Sequence, residues 1–180
     1  MLEYTTNWTD QYADTWRQLI GHLAGTKCNL IEIGNWEGRS TGWLLDNLCS
    51  DRDSRLTAID PHFSHERYAR FLGNVSQNKY VSRLNVVREL SADYLGTLPA
   101  ASIDACYIDG SHEAVDVMTD AVLCWRLLKP GGVIIFDDYE WDGPRELMPR
   151  VAINSFVELV APWSNVVHRG WQLAMIKQGG

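Results

Sequence analysis

The sequence predicts an α/β protein with a doubly wound, mostly parallel sheet of seven strands. Short apolar segments alternate with longer amphipathic segments along most of the chain, as in consecutive β-α-β units. Several apolar segments are continuous and end in glycine or aspartate, as strands buried on both faces do. Residues 165–176 have the pattern of a β-hairpin turning at Arg169-Gly170, which predicts an antiparallel C-terminal hairpin strand beside the parallel ones.

Each element follows from a local pattern of apolar residues and of residues that begin or end helices. The elements predicted in the first half are a helix over 8–24, a strand over 29–34, a helix over 39–49, a strand over 55–60, a helix from Ser64 and a strand over 83–90. The elements predicted in the second half are a short helix from Ser91, a strand over 102–109, a helix from Ala114 that stops at 129–132, a strand over 132–137, a helix near Pro149 and the hairpin.

Length and composition bound the kind of protein. A chain of 180 residues predicts a single domain, with an N-terminal helix within residues 1–26 and the α/β core over 28–177. A net charge of −7 without a basic patch argues against nucleic-acid binding. No apolar run approaches the ~20 residues of a membrane helix, and the first residues lack the pattern of a signal peptide.

The four cysteines, Cys28, Cys49, Cys106 and Cys124, are far apart in the sequence. They have no metal-finger spacing, so buried, reduced thiols are expected. Reduced thiols and the missing signal peptide together predict a cytoplasmic protein.

Acidic residues stand at the ends of three predicted strands. Asp60 ends the second strand, Asp109 the fourth, and Asp137 with Asp138 the fifth. Ligands of doubly wound sheets bind outside the carboxyl ends of the strands. We therefore expect these acids on the functional edge of the sheet.

A glycine turn follows the first strand in "IEIGNWEGRS", residues 31–40. Gly34 permits a tight turn, Gly38 permits a ligand to approach the backbone, and the helix beginning near Ser40 offers N–H groups to an anion. The two glycines do not form the GxGxxG pattern, which disfavours a dinucleotide site. Asp60 lies one strand–helix unit later, where a carboxylate can accept hydrogen bonds from ribose hydroxyls.

The order of "IEIGNWEGRS", "AIDPH", "LSADYL", "YIDGSH" and "LLKPGGVIIFDDY" resembles class I S-adenosylmethionine-dependent methyltransferases. The resemblance is closer to the small O-methyltransferase branch with catechol and macrocin-type sugar enzymes, and it covers residues 28–177. It implies a Rossmann-like fold and S-adenosylmethionine as the cofactor. The cofactor residues that it implies are Glu32, Gly34, Trp36, Gly38 and Ser40 near the methionine end, Asp60 at the ribose, Ser91 and Ala92 at the adenine edge, and Asp109 at the amino group.

The resemblance also implies a divalent metal bound by Asp109, Asp137 and Asp138. Oxygen ligands favour Mg²⁺, with Mn²⁺ or Ca²⁺ as alternatives. His112 stands where catechol enzymes carry a catalytic lysine, and it is expected to be the base, a metal ligand or an uninvolved residue. The expected reaction is O-methylation of a small molecule or glycan, with Asp109 and His112 as catalytic residues.

Aromatic residues beside these positions are candidates for the acceptor wall. Tyr139 and Trp141 follow the acids directly and suit sugar rings or flat phenols. His62 and His65 follow Asp60 and are candidates to flank the adenine, although a surface position is expected for both. Only one predicted helix precedes the first strand, so that few residues are available to cover the site. This predicts either a homodimer whose partner supplies a wall or a bulky acceptor in an open cleft.

Three other functions remain open from the sequence. The first is a metal-independent methyltransferase that uses His112 on a hydroxyl, amine or carboxylate. The second is an NAD- or nucleotide-binding Rossmann protein, against which the missing GxGxxG argues. The third is a non-catalytic binding module, which the full set of acids makes unattractive.

Overall fold

The computed structural model describes residues 2–144 and 147–179. The chain divides into two compact units, residues 1–90 and 91–180. The helices and strands of unit 1 are α1 (Ala13–Ile20), β1 (Asn29–Ile33), α2 (Arg39–Leu48), β2 (Arg55–Ile59), α3 (His65–Val75) and β3 (Leu84–Val87). Those of unit 2 are α4 (Ser91–Leu95), β4 (Ile103–Ile108), α5 (Ala114–Leu127), β5 (Leu128–Phe136), α6 (Pro149–Val160), β6 (Ser164–Arg169) and β7 (Leu173–Lys177).

The predicted fold class is confirmed. The seven strands form one sheet in the order β3-β2-β1-β4-β5-β7-β6. Within unit 1, β1 and β2 pair in parallel, as do β2 and β3. Within unit 2, β4 and β5 are parallel, whereas β7 runs antiparallel to both β5 and β6. The single domain with a core over 28–177 stays a prediction.

The N-terminal helix is shorter than predicted. Helix α1 is flanked by two 3-10 turns, and the predicted start at Trp8 is wrong because this residue lies before the first turn and is 59% exposed. Residues 3–5 make hydrogen bonds to side chains of Glu37 and Asn74. These residues precede the predicted helix, and the first helical turn begins only at Asp10.

The sheet core is apolar. The central strands bury Leu30, Ile31, Ile134, Ile135 and Phe136 to 2% exposure or less, as expected for strands covered on both faces. The four cysteines are buried free thiols, which confirms the expectation from their spacing. No helix among the described residues is long and apolar enough to cross a membrane.

Candidate active site

The glycine turn after β1 brings three residues into left-handed backbone conformations. Gly34 and Gly38 each have φ of 83°, and Trp36 has φ of 46°. A Cβ atom on residue 38 would lie 2.8 Å from Val75 Cγ1 and 3.0 Å from Phe71 Cδ2. Close packing of α3 against residue 38 therefore requires glycine at this position. Its predicted contact with a cofactor stays a prediction.

Buried polar side chains lie at the start of this turn. Glu32 is fully buried, and the Thr41 hydroxyl donates a hydrogen bond of 2.6 Å to its Oε2 atom. Glu32 Oε1 and both amide atoms of Asn35 are buried without a hydrogen-bond partner among the described residues. Burial raises the pKa of Glu32 from 4.5 to about 7, although hydrogen bonds from nearby groups oppose this effect.

Asp60 follows β2, and its carboxylate accepts hydrogen bonds from two backbone N–H groups. Its Oδ2 atom accepts a hydrogen bond of 3.0 Å from the Asn35 N–H, and its Oδ1 atom accepts one of 2.7 Å from the His62 N–H. A carboxylate has about four acceptor positions. Asp60, whose side chain is 20% exposed, therefore retains acceptor capacity for ribose hydroxyls.

The surface position expected for His62 is wrong. Its side chain is buried, with ring centroids 4.9 Å from those of Tyr68 and Phe71. Burial lowers the pKa of His62, so that the neutral ring is favoured. His65, in contrast, is exposed as expected.

Unit 1 fits the S-adenosylmethionine that the resemblance implies. Among the described residues, one oxygen of Glu32, in β1, and the amide of Asn35, in the turn that follows, are buried without partners. Buried polar atoms without partners are rare in proteins and call for a ligand or water. Of the other predicted residues, Ser40 is buried and Trp36 is 39% exposed.

In unit 2, a tyrosine hydroxyl lies between two of the predicted metal ligands. The Tyr107 hydroxyl contacts Asp109 Oδ2 at 3.0 Å and forms a shorter hydrogen bond with Asp137 Oδ2. A tyrosine hydroxyl has one hydrogen, so it donates to one carboxylate at a time. Burial and the charges of the two aspartates raise the pKa of Tyr107 well above 10, which keeps this hydroxyl protonated.

Asp137 is held by donors of its own unit. Its Oδ1 atom accepts a hydrogen bond of 2.8 Å from the Asp138 N–H, and its Oδ2 atom accepts one of 3.2 Å from Gln172 Nε2. Burial raises the pKa of Asp137, and the charge of Asp138 adds to this effect. Its oxygens are therefore largely engaged by the protein.

Asp138 forms a pair with His112. Its Oδ2 atom lies 2.7 Å from His112 Nε2, and its Oδ1 atom accepts a hydrogen bond of 3.2 Å from Trp171 Nε1. The hydrogen bond from Asp138 raises the pKa of His112, although partial burial opposes it. The His112 ring stacks on Trp141, with centroids 4.6 Å apart and planes at 18°.

A shallow pocket of about 220 Å³, including space open to solvent, lies beside this pair. Asp109, His112, Asp137 and Asp138 all line it. The His112 side chain is 42% exposed, so that its carboxylate-oriented imidazole is open to solvent, an arrangement suited to removing a proton.

The predicted metal site is not formed as a group of three carboxylates. Across residues 2–144 and 147–179, no three His, Cys, Asp or Glu side chains are grouped to hold a metal ion. Asp109 and Asp137 share the Tyr107 hydroxyl, whereas Asp138 is engaged by His112 and Trp171. In this arrangement the residues do not fit the ion, and metal binding stays a prediction.

Ser91 and Ala92, predicted at the adenine edge, lie at the start of α4. The Ser91 hydroxyl donates a hydrogen bond of 2.6 Å to the buried Asp120, whose pKa burial raises to about 6. Ala92 is exposed. The role of Asp120 in orienting Ser91 was not predicted, because a lone acid within a helix has no sequence signal.

The two predicted acceptor residues differ in exposure. Tyr139 is 7% exposed, and its hydroxyl is hydrogen-bonded to Asn154 and Arg169, which leaves little surface for an acceptor. Trp141 is half-buried against His112.

Three further residues of the acid cluster were not predicted. Tyr107 had a detectable signal, because it stands two positions before Asp109, and residues two apart in an extended chain point to the same side. Trp171 and Gln172 had none, since only the turn of the β6–β7 hairpin brings them to the acids.

Residues 31–139 match the protein family described as "Methyltransferase domain". The match covers more than half of the chain, and the chain therefore belongs to this family of methyltransferases. The resemblance to class I methyltransferases and the prediction of a methyltransferase enzyme are confirmed at this level.

A curated relative is the uncharacterized protein R132 of Acanthamoeba polyphaga mimivirus, 31% identical over 134 residues. The alignment covers 71% of this chain, and the chain spans 58% of the relative's length. A similar solved structure is the O-methyltransferase TomG of Streptomyces achromogenes, involved in tomaymycin synthesis and bound to SAM. It has 18% identity and a TM-score of 0.73, and the alignment covers 96% of this chain and 82% of TomG.

Another similar solved structure is an O-methyltransferase of Bacillus cereus bound to SAH, with 20% identity and a TM-score of 0.73. The alignment covers 97% of this chain and 84% of the Bacillus chain. At these identities, the two solved structures establish a common fold.

Proposed function

We propose that the protein transfers a methyl group from S-adenosylmethionine to a hydroxyl oxygen of a small-molecule or glycan acceptor. In this proposal His112 takes the hydroxyl proton, and the contact of 2.7 Å between His112 and Asp138 is the observation that carries it. Membership of the methyltransferase family supports the methyl transfer. The two solved relatives are described as O-methyltransferases, which favours oxygen as the acceptor atom.

Unit 1 supplies most of the cofactor residues in this proposal. Glu32 and Asn35 bind the methionine end through the atoms that lack partners among the described residues, and Asp60 accepts from the ribose hydroxyls. The contacts of Ser91 and Ala92 with the adenine stay a prediction. S-adenosylmethionine supplies a methyl group on a positively charged sulfur, which departs as a neutral thioether.

The His112–Asp138 pair makes the acceptor nucleophilic. With Nε2 donating its hydrogen to Asp138, Nδ1 is the atom that accepts a proton from the acceptor hydroxyl. The Asp138 carboxylate then stabilises the imidazolium, while the Trp171 Nε1–H donor holds its other oxygen. Proton removal by a positioned base contributes on the order of 10²–10⁴-fold to a rate.

The test combines binding with transfer. We expect S-adenosylhomocysteine to bind in calorimetry, and labelled S-adenosylmethionine to methylate members of a panel of catechols, vicinal diols and glycosides. His112→Ala is expected to lower transfer by roughly 10²–10⁴-fold without changing the affinity for S-adenosylhomocysteine. The matched control is His22→Ala, which removes a histidine outside the site residues.

Three outcomes would contradict parts of this proposal. Full activity of His112→Ala would exclude this residue as the base. Loss of wild-type activity in a chelator, restored by Mg²⁺, would instead support Asp109, Asp137 and Asp138 as metal ligands. Tighter binding of NAD than of S-adenosylhomocysteine would favour the nucleotide-binding alternative.

A further inference from the structure

Residues 3–8 of unit 1, which we call the N-terminal strap, are bound to side chains far from them in sequence. The Thr5 backbone N–H donates a hydrogen bond of 2.6 Å to Glu37 Oε2, and the Thr5 hydroxyl donates one of 2.9 Å to Glu37 Oε1. The Glu3 N–H donates to Asn74 Oδ1 at 2.7 Å, and Asn74 Nδ2 donates to the Glu3 carbonyl at 2.8 Å. The strap is therefore fastened at two points, one of which is the glycine turn after β1.

Glu37 receives most of its hydrogen bonds from the strap. Its side chain is only 2% exposed, and among the described residues its carboxylate accepts from the two donors of Thr5 and from Arg70 at 2.6 Å. Burial opposes the ionisation of Glu37, but the hydrogen bonds from Thr5 and Arg70 outweigh it and lower its pKa. Release of the strap would remove two of these three donors from a buried charge, which is unfavourable.

The turn that carries Glu37 has a strained backbone. Trp36 has φ of 46°, in the left-handed region that large side chains rarely adopt. Its ring centroid lies 5.8 Å from that of Trp8 in the strap and 3.7 Å from the Arg67 guanidinium carbon. Asn74 Nδ2, which binds the strap, also donates to the Glu37 carbonyl at 2.9 Å. Strained conformations persist where the surrounding structure imposes them, and the strap supplies part of that support here.

The same turn carries a group that the proposed function gives to the cofactor. The side-chain amide of Asn35 is buried without a partner among the described residues. The Asn35 carbonyl accepts a hydrogen bond of 2.7 Å from the Gly38 N–H, and its own N–H donates to Asp60 at 3.0 Å. Asn35 and Glu37 thus belong to one hydrogen-bonded turn, so that the backbone at either position constrains the other.

We propose that docking of the N-terminal strap on Glu37 fixes the glycine turn in the conformation that binds S-adenosylmethionine. Cofactor binding in turn holds the strap in place, because the coupling between two binding events is reciprocal. This inference rests on the proposed function and extends it by giving the cofactor site a conformational control. Thr5 and Glu37 act through the turn and are positioning residues.

Hydrogen exchange of backbone amides measures the docking of the strap. The Glu3 and Thr5 amides donate to Asn74 and Glu37, so that they exchange when the strap is released. Saturating S-adenosylhomocysteine should slow exchange at both amides by roughly 5- to 150-fold, the usual range of such coupling. The Asp53 amide is the control, because it donates to the Asp51 carboxylate at 2.8 Å in the loop before β2. Its exchange should not change.

Thr5→Pro tests the coupling from the side of the strap, because proline lacks both the N–H and the hydroxyl that bind Glu37. In calorimetry it should weaken S-adenosylhomocysteine by the same factor by which this ligand slows exchange in wild type. Thr5→Ser keeps both donors and should bind like wild type. Leu2→Pro is the matched control, because it introduces a proline at an exposed position just before the strap and leaves the donors of Thr5 in place.

Several outcomes would overturn this inference alone. They are exchange at the Glu3 and Thr5 amides that does not respond to bound S-adenosylhomocysteine, wild-type affinity in Thr5→Pro, and an equal loss of affinity in Leu2→Pro and Thr5→Pro. Failure of the wild-type protein to bind S-adenosylhomocysteine would overturn the proposed function together with it.

Discussion

Glu32 should make the stability of this protein fall as the pH rises, and Glu32→Gln should remove that effect. The side chain is fully buried, and burial raises its pKa from 4.5 to about 7. Below pH 4.5 the carboxyl group is protonated in both the folded and the unfolded chain. As the pH rises towards 7, the unfolded chain loses this proton while the folded chain retains it, which favours unfolding.

The size of the effect follows from the two pKa values. Each pH unit between them corresponds to 1.36 kcal/mol, so that the difference between 4.5 and about 7 is equivalent to roughly 3 kcal/mol. The contribution of Glu32 is fully present below pH 4.5 and is lost as the pH rises through 7. The free energy of unfolding of Glu32→Gln relative to wild type should therefore increase by this amount between pH 4.5 and pH 8.

The assay is urea unfolding followed by tryptophan fluorescence, without cofactor, at several pH values between 4.5 and 8. Glu89→Gln is the matched control, because Glu89 is an exposed glutamate of the same unit. Its difference from wild type should not change over this range. A difference between Glu32→Gln and wild type that is independent of pH would refute the reasoning, because it would mean that Glu32 ionises as easily when folded as when unfolded.

The remaining predictions concern packing in unit 1 and proton transfer in unit 2. Gly38→Ala should destabilise the protein by about 2–4 kcal/mol in urea unfolding, because the new Cβ atom meets Val75 at 2.8 Å and φ is 83°. Gly73→Ala, whose Cβ atom meets nothing within 4 Å, should be neutral or stabilising by up to about 1 kcal/mol; equal effects of the two would contradict the packing argument. Asp138→Asn should lower kcat for methyl transfer by roughly 10²–10⁴-fold with unchanged affinity for S-adenosylhomocysteine, because His112 loses its carboxylate partner. A lower kcat accompanied by the loss of a bound metal ion in a Mg²⁺ titration would instead assign Asp138 to a metal site.

The strand–helix alternation was predictable because it depends on local sequence. Continuous apolar runs predicted β1, β2, β4 and the buried part of β5, and Ser64 was identified as the N-cap of α3, where its hydroxyl accepts from the Arg67 N–H. The N-terminal helix was predicted to start too early. Apolar spacing continues to Trp8, but the first turn begins at Asp10, whose N–H donates to the Asn7 side chain.

The candidate site was predictable only as a set of positions. The acids at the strand ends and the glycine turn were identified from the sequence. Each of them follows a parallel strand and therefore lies at the carboxyl end of that strand, where ligands of such sheets bind. The partners of each acid were not predictable. Asp138 faces His112 and Trp171, whereas Asp137 faces Tyr107 and Gln172, although the two aspartates are adjacent in sequence.

The sequence by itself determined the order of strands and helices, the methyltransferase family and the positions of the acids, because these depend on periodicity and on motifs along the chain. Only the tertiary structure decided how each polar group is satisfied. It buried His62, set a tyrosine hydroxyl between Asp109 and Asp137, and placed the Arg67 guanidinium over the Trp36 ring. The physical reason is that burial and hydrogen bonding depend on residues far apart in sequence, which only the folded chain brings into contact.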